Sequence, residues 1–298
     1  MEEYIIETNN LTKKVPGKVA VDHVNMHIKR GDIYGFIGRN GAGKTTAMKL
    51  ILGLLKPNEG EITLFGSKDL NAQRKKIGSL IETPSLYKNV SAFEIMKRYS
   101  ILFGGTDEEI NEILELVGLA DVGNKHAGDF SLGMKQRLGI AIALLGNPEV
   151  LILDEPVNGL DPAGIKEIRD TILKLSKERG VTFLISSHLL DELAKVVTTY
   201  GIINEGVLVE EVSAEELNKR CAHNLKIKCD DLKAAEKLLK EKKYLNRYEV
   251  KDGYIVIYDN IDKSSEINEL LVKNKISVSE LSINTTGLED YFIERIGR

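Results

Sequence analysis

The sequence predicts an α/β fold, a largely parallel sheet covered by helices, followed by a smaller α+β domain. Three observations carry this. Between residues 33 and 186, short apolar runs alternate with helix-length stretches, the pattern of parallel strands joined by crossover helices. After about Glu211 the composition changes and the element order becomes β-α-β-β-α-β, which predicts a ferredoxin-like unit. The chain has 298 residues with 42% hydrophobic and 29% charged content, enough for about two globular domains. The expected domains are residues 1–212, with a helical insert over about 83–145, and residues 213–298.

Taken in order, residues 4–8 and 24–28 alternate like edge strands, with a turn at Pro16-Gly17 between them. Residues 33–37 form a short buried strand that runs straight into a glycine-rich loop, and a helix follows over 45–54. The turn Pro57-Asn58-Glu59-Gly60 precedes a strand at 61–65. From 91 to about 145 the period is helical, with Val117-Gly118-Leu119 ending one amphipathic helix. Residues 150–153 and 181–186 read as buried parallel strands, with a helix over 163–179 between them. In the second domain, strands at 248–250 and 254–258 flank Asp252-Gly253, a strong hairpin turn. A strand at 225–229, helices at 232–242 and 264–273, a strand at 276–283 and a closing helix at 287–296 complete it.

Composition removes several classes of function. The net charge is −4, so no basic surplus points to nucleic acid. The longest apolar runs, at 140–145 and 150–153, fall far short of the roughly 18 residues that span a bilayer. Met1-Glu2-Glu3 is acidic and has no apolar signal core, which predicts a cytoplasmic protein. Cys221 and Cys229 are the two cysteines, expected as free thiols.

Gly38-Arg39-Asn40-Gly41-Ala42-Gly43-Lys44-Thr45, with Thr46 behind it, fits the phosphate-binding loop in full, between a strand and a helix. Backbone N–H groups of such a loop turn inward around phosphate oxygens, and the helix N-terminus adds favourable partial charge. Lys44 would bridge the β- and γ-phosphates of a nucleotide, and the Thr45 hydroxyl would ligate Mg²⁺. A glycine-rich turn with a fortuitous Lys-Thr would explain the string alone, but not its strand-to-helix context. Val150-Leu151-Ile152-Leu153-Asp154-Glu155 is an apolar strand ending in a carboxylate pair, near the ligand-binding edge of a parallel sheet. Asp154 would hold Mg²⁺ through water, and Glu155 would orient and activate the attacking water. An isolated Asp-Glu at a strand end would more simply be solvated.

Between these motifs lies Phe130-Ser131-Leu132-Gly133-Met134-Lys135-Gln136-Arg137. On these residues the chain resembles ATP-binding cassette (ABC) ATPases over about residues 1–212. The usual signature is Leu-Ser-Gly-Gly-Gln, so Ser131 and Gly133 are kept while Leu132 and Met134 depart. The resemblance implies that Ser131 and Gly133 complete the ATP site of a second copy in a head-to-tail dimer. A lone Ser-x-Gly is more simply a helix N-cap, a role compatible with the first. Asp161 in Gly159-Leu160-Asp161 would bridge the two copies, and His188 would contact the γ-phosphate and help place the water. His23, His27, His126 and His223 lie in no such register and receive no role.

Two further positions depart from the family. Glu82 stands where a glutamine is usual; a carboxylate still ligates Mg²⁺ but donates no amide hydrogen bond. This is similar to the ATPases of bacterial lantibiotic and bacitracin self-protection exporters. Val15 stands where an aromatic ring often stacks on adenine, which leaves apolar contact from Val15 or Val19. The resemblance implies an ATPase subunit on the inner face of the cell membrane, driving separate membrane permease subunits in export, with Leu86 and Tyr87 as candidate contacts. A soluble ABC ATPase acting on a macromolecular complex is the alternative; such chains usually carry two cassettes or long coiled coils, and neither is present in this sequence.

Overall fold

Three runs of this chain are buried at every residue: Ile33–Ile37, Val150–Asp154 and Thr182–Ser187. Strands buried on both faces belong at the centre of a covered parallel sheet. The computed structural model places them there. It describes residues 4–82, 84, 86–188, 193–221, 224–284 and 288–296. His223 lies outside these residues. The chain divides into two compact units, Met1–Ala214 and Glu215–Arg298.

The first unit opens with β1 (Tyr4–Val15), β2 (Lys18–Val24), β3 (His27–Lys29), β4 (Ile33–Ile37), α1 (Lys44–Ile51) and β5 (Glu59–Leu64). It continues with α2 (Leu70–Arg74), β6 (Ile77–Leu80), α3 (Ala92–Ser100), α4 (Asp107–Leu116) and α5 (Leu132–Leu144). Then come β7 (Val150–Asp154), α6 (Pro162–Arg179), β8 (Thr182–Ser187), β9 (Thr199–Asn204) and β10 (Val207–Ser213). One sheet pairs β1 with β2, β3 and β5, all antiparallel. The other runs β10-β9-β4-β8-β7-β6, parallel throughout except for the β9–β10 hairpin. Helix α1 gives Ala47, Met48, Leu50 and Ile51 to a core shared with Ile5, Ile6 and Leu11 of β1, Ile152 of β7 and Leu184 of β8. One helix thus glues two sheets, and its N-terminus is held wherever the apolar face docks.

Sequence patterning and structure differ at two places near the site. The expected strand over 24–28 is broken between β2 and β3. Asn25 causes the break: its Oδ1 accepts from Asn10 N at 2.8 Å and its Nδ2 donates to His23 O at 2.9 Å, satisfying the backbone outside a ladder. Second, β6 joins the sheet as its edge, directly under α5. A Cβ at Gly78 would strike the Ala143 carbonyl, and one at Gly139 would come within 2.9 Å of Leu80 Cδ1, so glycine on each side permits the close seat.

In the second unit, α7 (Ala214–Arg220) leads into β11 (Asn224–Cys229), α8 (Leu232–Glu241), β12 (Tyr248–Lys251), β13 (Tyr254–Ile257), α9 (Ser264–Lys273), β14 (Val278–Asn284) and α10 (Leu288–Ile296). The antiparallel sheet order is β12-β13-β11-β14. Leu225, Ile227, Ile255 and Ile257 pack with Ala235 and Leu239 of α8 and Ile267 and Leu271 of α9. No helix among the described residues is long and apolar enough to cross a membrane.

Candidate active site

Strand register builds the site. Ile37 pairs with Ser187, and Ser186 pairs with both Phe36 and Asp154, so the ends of β4, β8 and β7 stand in one row. In parallel sheets this carboxyl edge is where ligands bind. The chain leaves β4 into the loop 38–43 and enters α1 at Gly43, whose φ of 112° is left-handed. A Cβ there would also strike the Ala20 carbonyl. Only glycine satisfies both conditions, and the helix N-terminus consequently points its free N–H groups into the row.

Five side chains converge on that row. Lys44 is 5% exposed; its Nζ donates to Gly38 O at 2.6 Å and lies 3.2 Å from Glu155 Oε1. Thr45 Oγ1 donates to Asp154 Oδ2 at 2.7 Å. His188 Nδ1 lies 2.8 Å from Glu155 Oε2, and because an ionised carboxylate only accepts, Nδ1 carries the proton of this contact. Glu155 adopts φ +50°, uncommon for a residue with a side chain, so its backbone is held by its surroundings. Part of that hold comes from Ser186, which sequence reading passes over. Its buried hydroxyl donates to Asp154 Oδ1 at 2.5 Å and accepts from Glu155 N at 2.8 Å. The available signal is the polar pair Ser186-Ser187, fully buried at the end of an apolar strand.

The remaining residues singled out in the sequence fall on the loop, after β6 and at the N-termini of α5 and α6. Arg39, Asn40 and Gly41 are exposed on the loop, while Ala42 is buried and its carbonyl accepts from Gly206 N at 2.9 Å. Thr46 lines a cleft of about 250 Å³ over the loop, together with Val15, Lys18, Asn40, Lys44 and Glu155. Val15 therefore borders the cleft, whereas Val19 is not among its lining residues. Glu82 follows β6 and its Oε1 accepts from Lys49 Nζ at 2.7 Å, not from the Thr45–Asp154 pair. The Lys49 hydrogen bond and charge hold the Glu82 carboxyl below the usual carboxylate value. Ser131 is the N-cap of α5 and accepts from Met134 N at 3.2 Å. Asp161 caps α6 in the same way, accepting from Gly164 N at 3.0 Å. A Cβ on Gly133 would sit 3.8 Å from Leu160 and from Gly164, so the 131–133 and 159–161 segments lie side by side. Leu86 is half-buried, and Tyr87 is exposed beneath the Arg98 guanidinium.

A nucleotide triphosphate and Mg²⁺ fit these residues. The loop glycines leave room that a Cβ would fill, and the buried ammonium of Lys44 supplies charge for phosphate. Thr45 and Asp154 offer adjacent hard oxygen donors, the set Mg²⁺ prefers when phosphates provide the rest. Among the described residues no group of three His, Cys, Asp or Glu side chains is placed to hold a metal by itself.

A family model described as ABC transporter matches residues 21–158. The chain is 45% identical to the bacitracin transport ATP-binding protein BcrA of Bacillus licheniformis, over 98% of this chain and 97% of that one. It is 44% identical to the lantibiotic transport ATP-binding protein SrtF of Streptococcus pyogenes, over 70% of this chain and 90% of that one. A solved dimeric ATP-binding cassette, MJ0796 in a post-hydrolysis state bound to ADP and Pi, matches with a TM-score of 0.64 at 26% identity. That match covers 70% of this chain and 98% of the other.

Proposed function

The chain belongs to the ABC transporter ATP-binding proteins, and on that premise we propose that it is the ATP-hydrolysing subunit of a bacterial exporter of peptide antibiotics or related drugs. The meeting of Lys44, Thr45, Asp154, Glu155 and His188 at one sheet edge is the observation that carries hydrolysis. The export role rests on similarity to a bacitracin transport protein along nearly the whole chain, the C-terminal unit included.

The loop N–H groups from Gly38 to Lys44 and the Lys44 ammonium would bind the β- and γ-phosphates, with Arg39, Asn40 and Thr46 around them. Thr45 and Asp154 would hold Mg²⁺, which supplies charge neutralisation on the phosphates, and Glu82 would join them. Glu155 would take the proton of the attacking water, while His188, already hydrogen-bonded to it, would orient the carboxylate and contact the γ-phosphate. Two copies would close head to tail, with Ser131, Gly133 and Asp161 of each completing the site of the other. ATP then favours the closed dimer only through contacts made there, and Ser131 is one.

The subunit would sit at the inner face of the membrane on separate permease subunits, with Leu86 and Tyr87 in contact range. The C-terminal unit would be a ferredoxin-like accessory domain, and the domain limits would be residues 1–212 and 213–298.

A deletion strain tests the reading. Loss of the chain is expected to sensitise cells to bacitracin or a lantibiotic, with rescue by wild type and none by Glu155→Gln. Unchanged susceptibility, with the chain recovered on ribosomes instead of with a membrane protein, overturns it.

A further inference from the structure

Lys49 stands one turn beyond Thr45 on α1, so their side chains share a face of the helix. Thr45 reaches Asp154 from that face, and Lys49 reaches Glu82, each at 2.7 Å. Glu82 takes φ +62°, a left-handed backbone at a residue with a side chain. Its carboxylate accepts from Lys49, not from Thr45, whose hydroxyl goes to Asp154. If all of Asp154, Glu155 and Glu82 faced one divalent cation and a polyphosphate, the corner would be crowded with negative charge. An ammonium held at its border relieves that repulsion.

We propose that Lys49 is a positioning residue that holds Glu82 outside the Thr45–Asp154 corner, so that Glu82 reaches Mg²⁺ by exchanging one cationic partner for another. This rests on Glu82 being a ligand of the nucleotide-bound metal. The pair suits an exchangeable contact: its side chains are 30% and 66% exposed, and an ion pair so wetted is easily broken. Lys49 would set metal affinity without touching the metal or the nucleotide.

The test uses the full chain loaded with a non-hydrolysable ATP analogue, with bound Mn²⁺ counted by electron paramagnetic resonance. Glu82→Gln is expected to weaken Mn²⁺ binding. Lys49→Met should tighten it about three-fold, the scale of one exposed ion pair no longer competing, and Lys49→Arg should match wild type. In the Glu82→Gln background, Lys49→Met should do nothing. If Lys49→Met tightens binding equally in both backgrounds, the lysine acts as bare charge and positioning is overturned. Should Glu82→Ala alone leave Mn²⁺ affinity unchanged, Glu82 is no ligand and the premise itself falls. Thermal unfolding of each variant separates loss of fold from loss of metal.

Discussion

Ser186 on β8 grips both members of the Asp154-Glu155 pair, donating to the Asp154 carboxylate and accepting from the Glu155 backbone N–H. One buried hydroxyl therefore fixes the direction of the Asp154 carboxylate and the left-handed backbone of its neighbour. Alanine at this position leaves both partners short of a bond in a dry site. Ser186→Ala is expected to cost about 1–3 kcal/mol in urea unfolding. Turnover at saturating Mg²⁺-ATP should fall while affinity for the nucleotide, held mainly by the loop, changes little. Wild-type turnover in this variant would remove Ser186 from the account.

Gly43→Ala probes the entry to α1. The new Cβ meets the Ala20 carbonyl and forces an alanine into φ 112°. Backbone strain of this kind costs about 1–3 kcal/mol. Thermal melts should show the loss, and binding of a fluorescent ATP analogue should fall with it, because the loop cannot keep its shape. A Gly41→Ala control tests specificity: φ is also positive there, but no atom stands within 4 Å of the added Cβ. Equal effects at the two glycines would argue that steric contact with Ala20 plays no part.

Ser131→Arg separates the N-cap role of Ser131 from the role proposed for it at a partner's site. Within one copy, its hydroxyl caps α5, and loss of that cap costs about 1 kcal/mol. The long cation should also obstruct the partner's γ-phosphate position. Light scattering with ATP on a Glu155→Gln background is expected to show a dimer for Ser131 and a monomer for Arg, at similar ATP affinity. Dimers in both would leave Ser131 as a cap and nothing more.

Tyr34 predicts the alkaline limit of stability. It is fully buried and donates to Glu211 Oε1 at 2.7 Å. Burial first, then the charge and hydrogen bond of Glu211, hold its phenol well above the ordinary 10.0. The folded chain thus holds this proton more tightly than the unfolded chain does. Its stabilising contribution is complete below pH 10.0 and is lost as the pH climbs beyond it. Urea unfolding across an alkaline series should show stability falling, and Tyr34→Phe should flatten that fall. Identical slopes would refute the assignment.

Lys44 and Thr45 are legible in the sequence through the glycine-rich loop before them, Asp154 and Glu155 because they close a short apolar run, and His188 through the family resemblance. Ser186 is not legible, because a serine closing a buried strand has no spacing that separates a structural hydroxyl from one serving a carboxylate. Lys49 escapes for the opposite reason: a lysine on an amphipathic helix reads as solvated, and only the return of the chain through β6 brings Glu82 to it. Strand β6 is itself hidden, since Ile77-Gly78-Ser79-Leu80 is four residues with a glycine inside. The hairpin β9–β10 hides behind acidic residues on its outer strand, Glu210 and Glu211, which pair in the ladder all the same.

The glycine-lined seat of α5 on β6 has a mechanical meaning. Helix α5 begins at the segment proposed to meet a second copy, and β6 ends just before Glu82. With Gly78 set against the Ala143 backbone and Gly139 against the Leu80 and Pro84 side chains, the two mesh like gear teeth. Movement of one displaces the other, and a single added methyl at Gly78 would strip the gear.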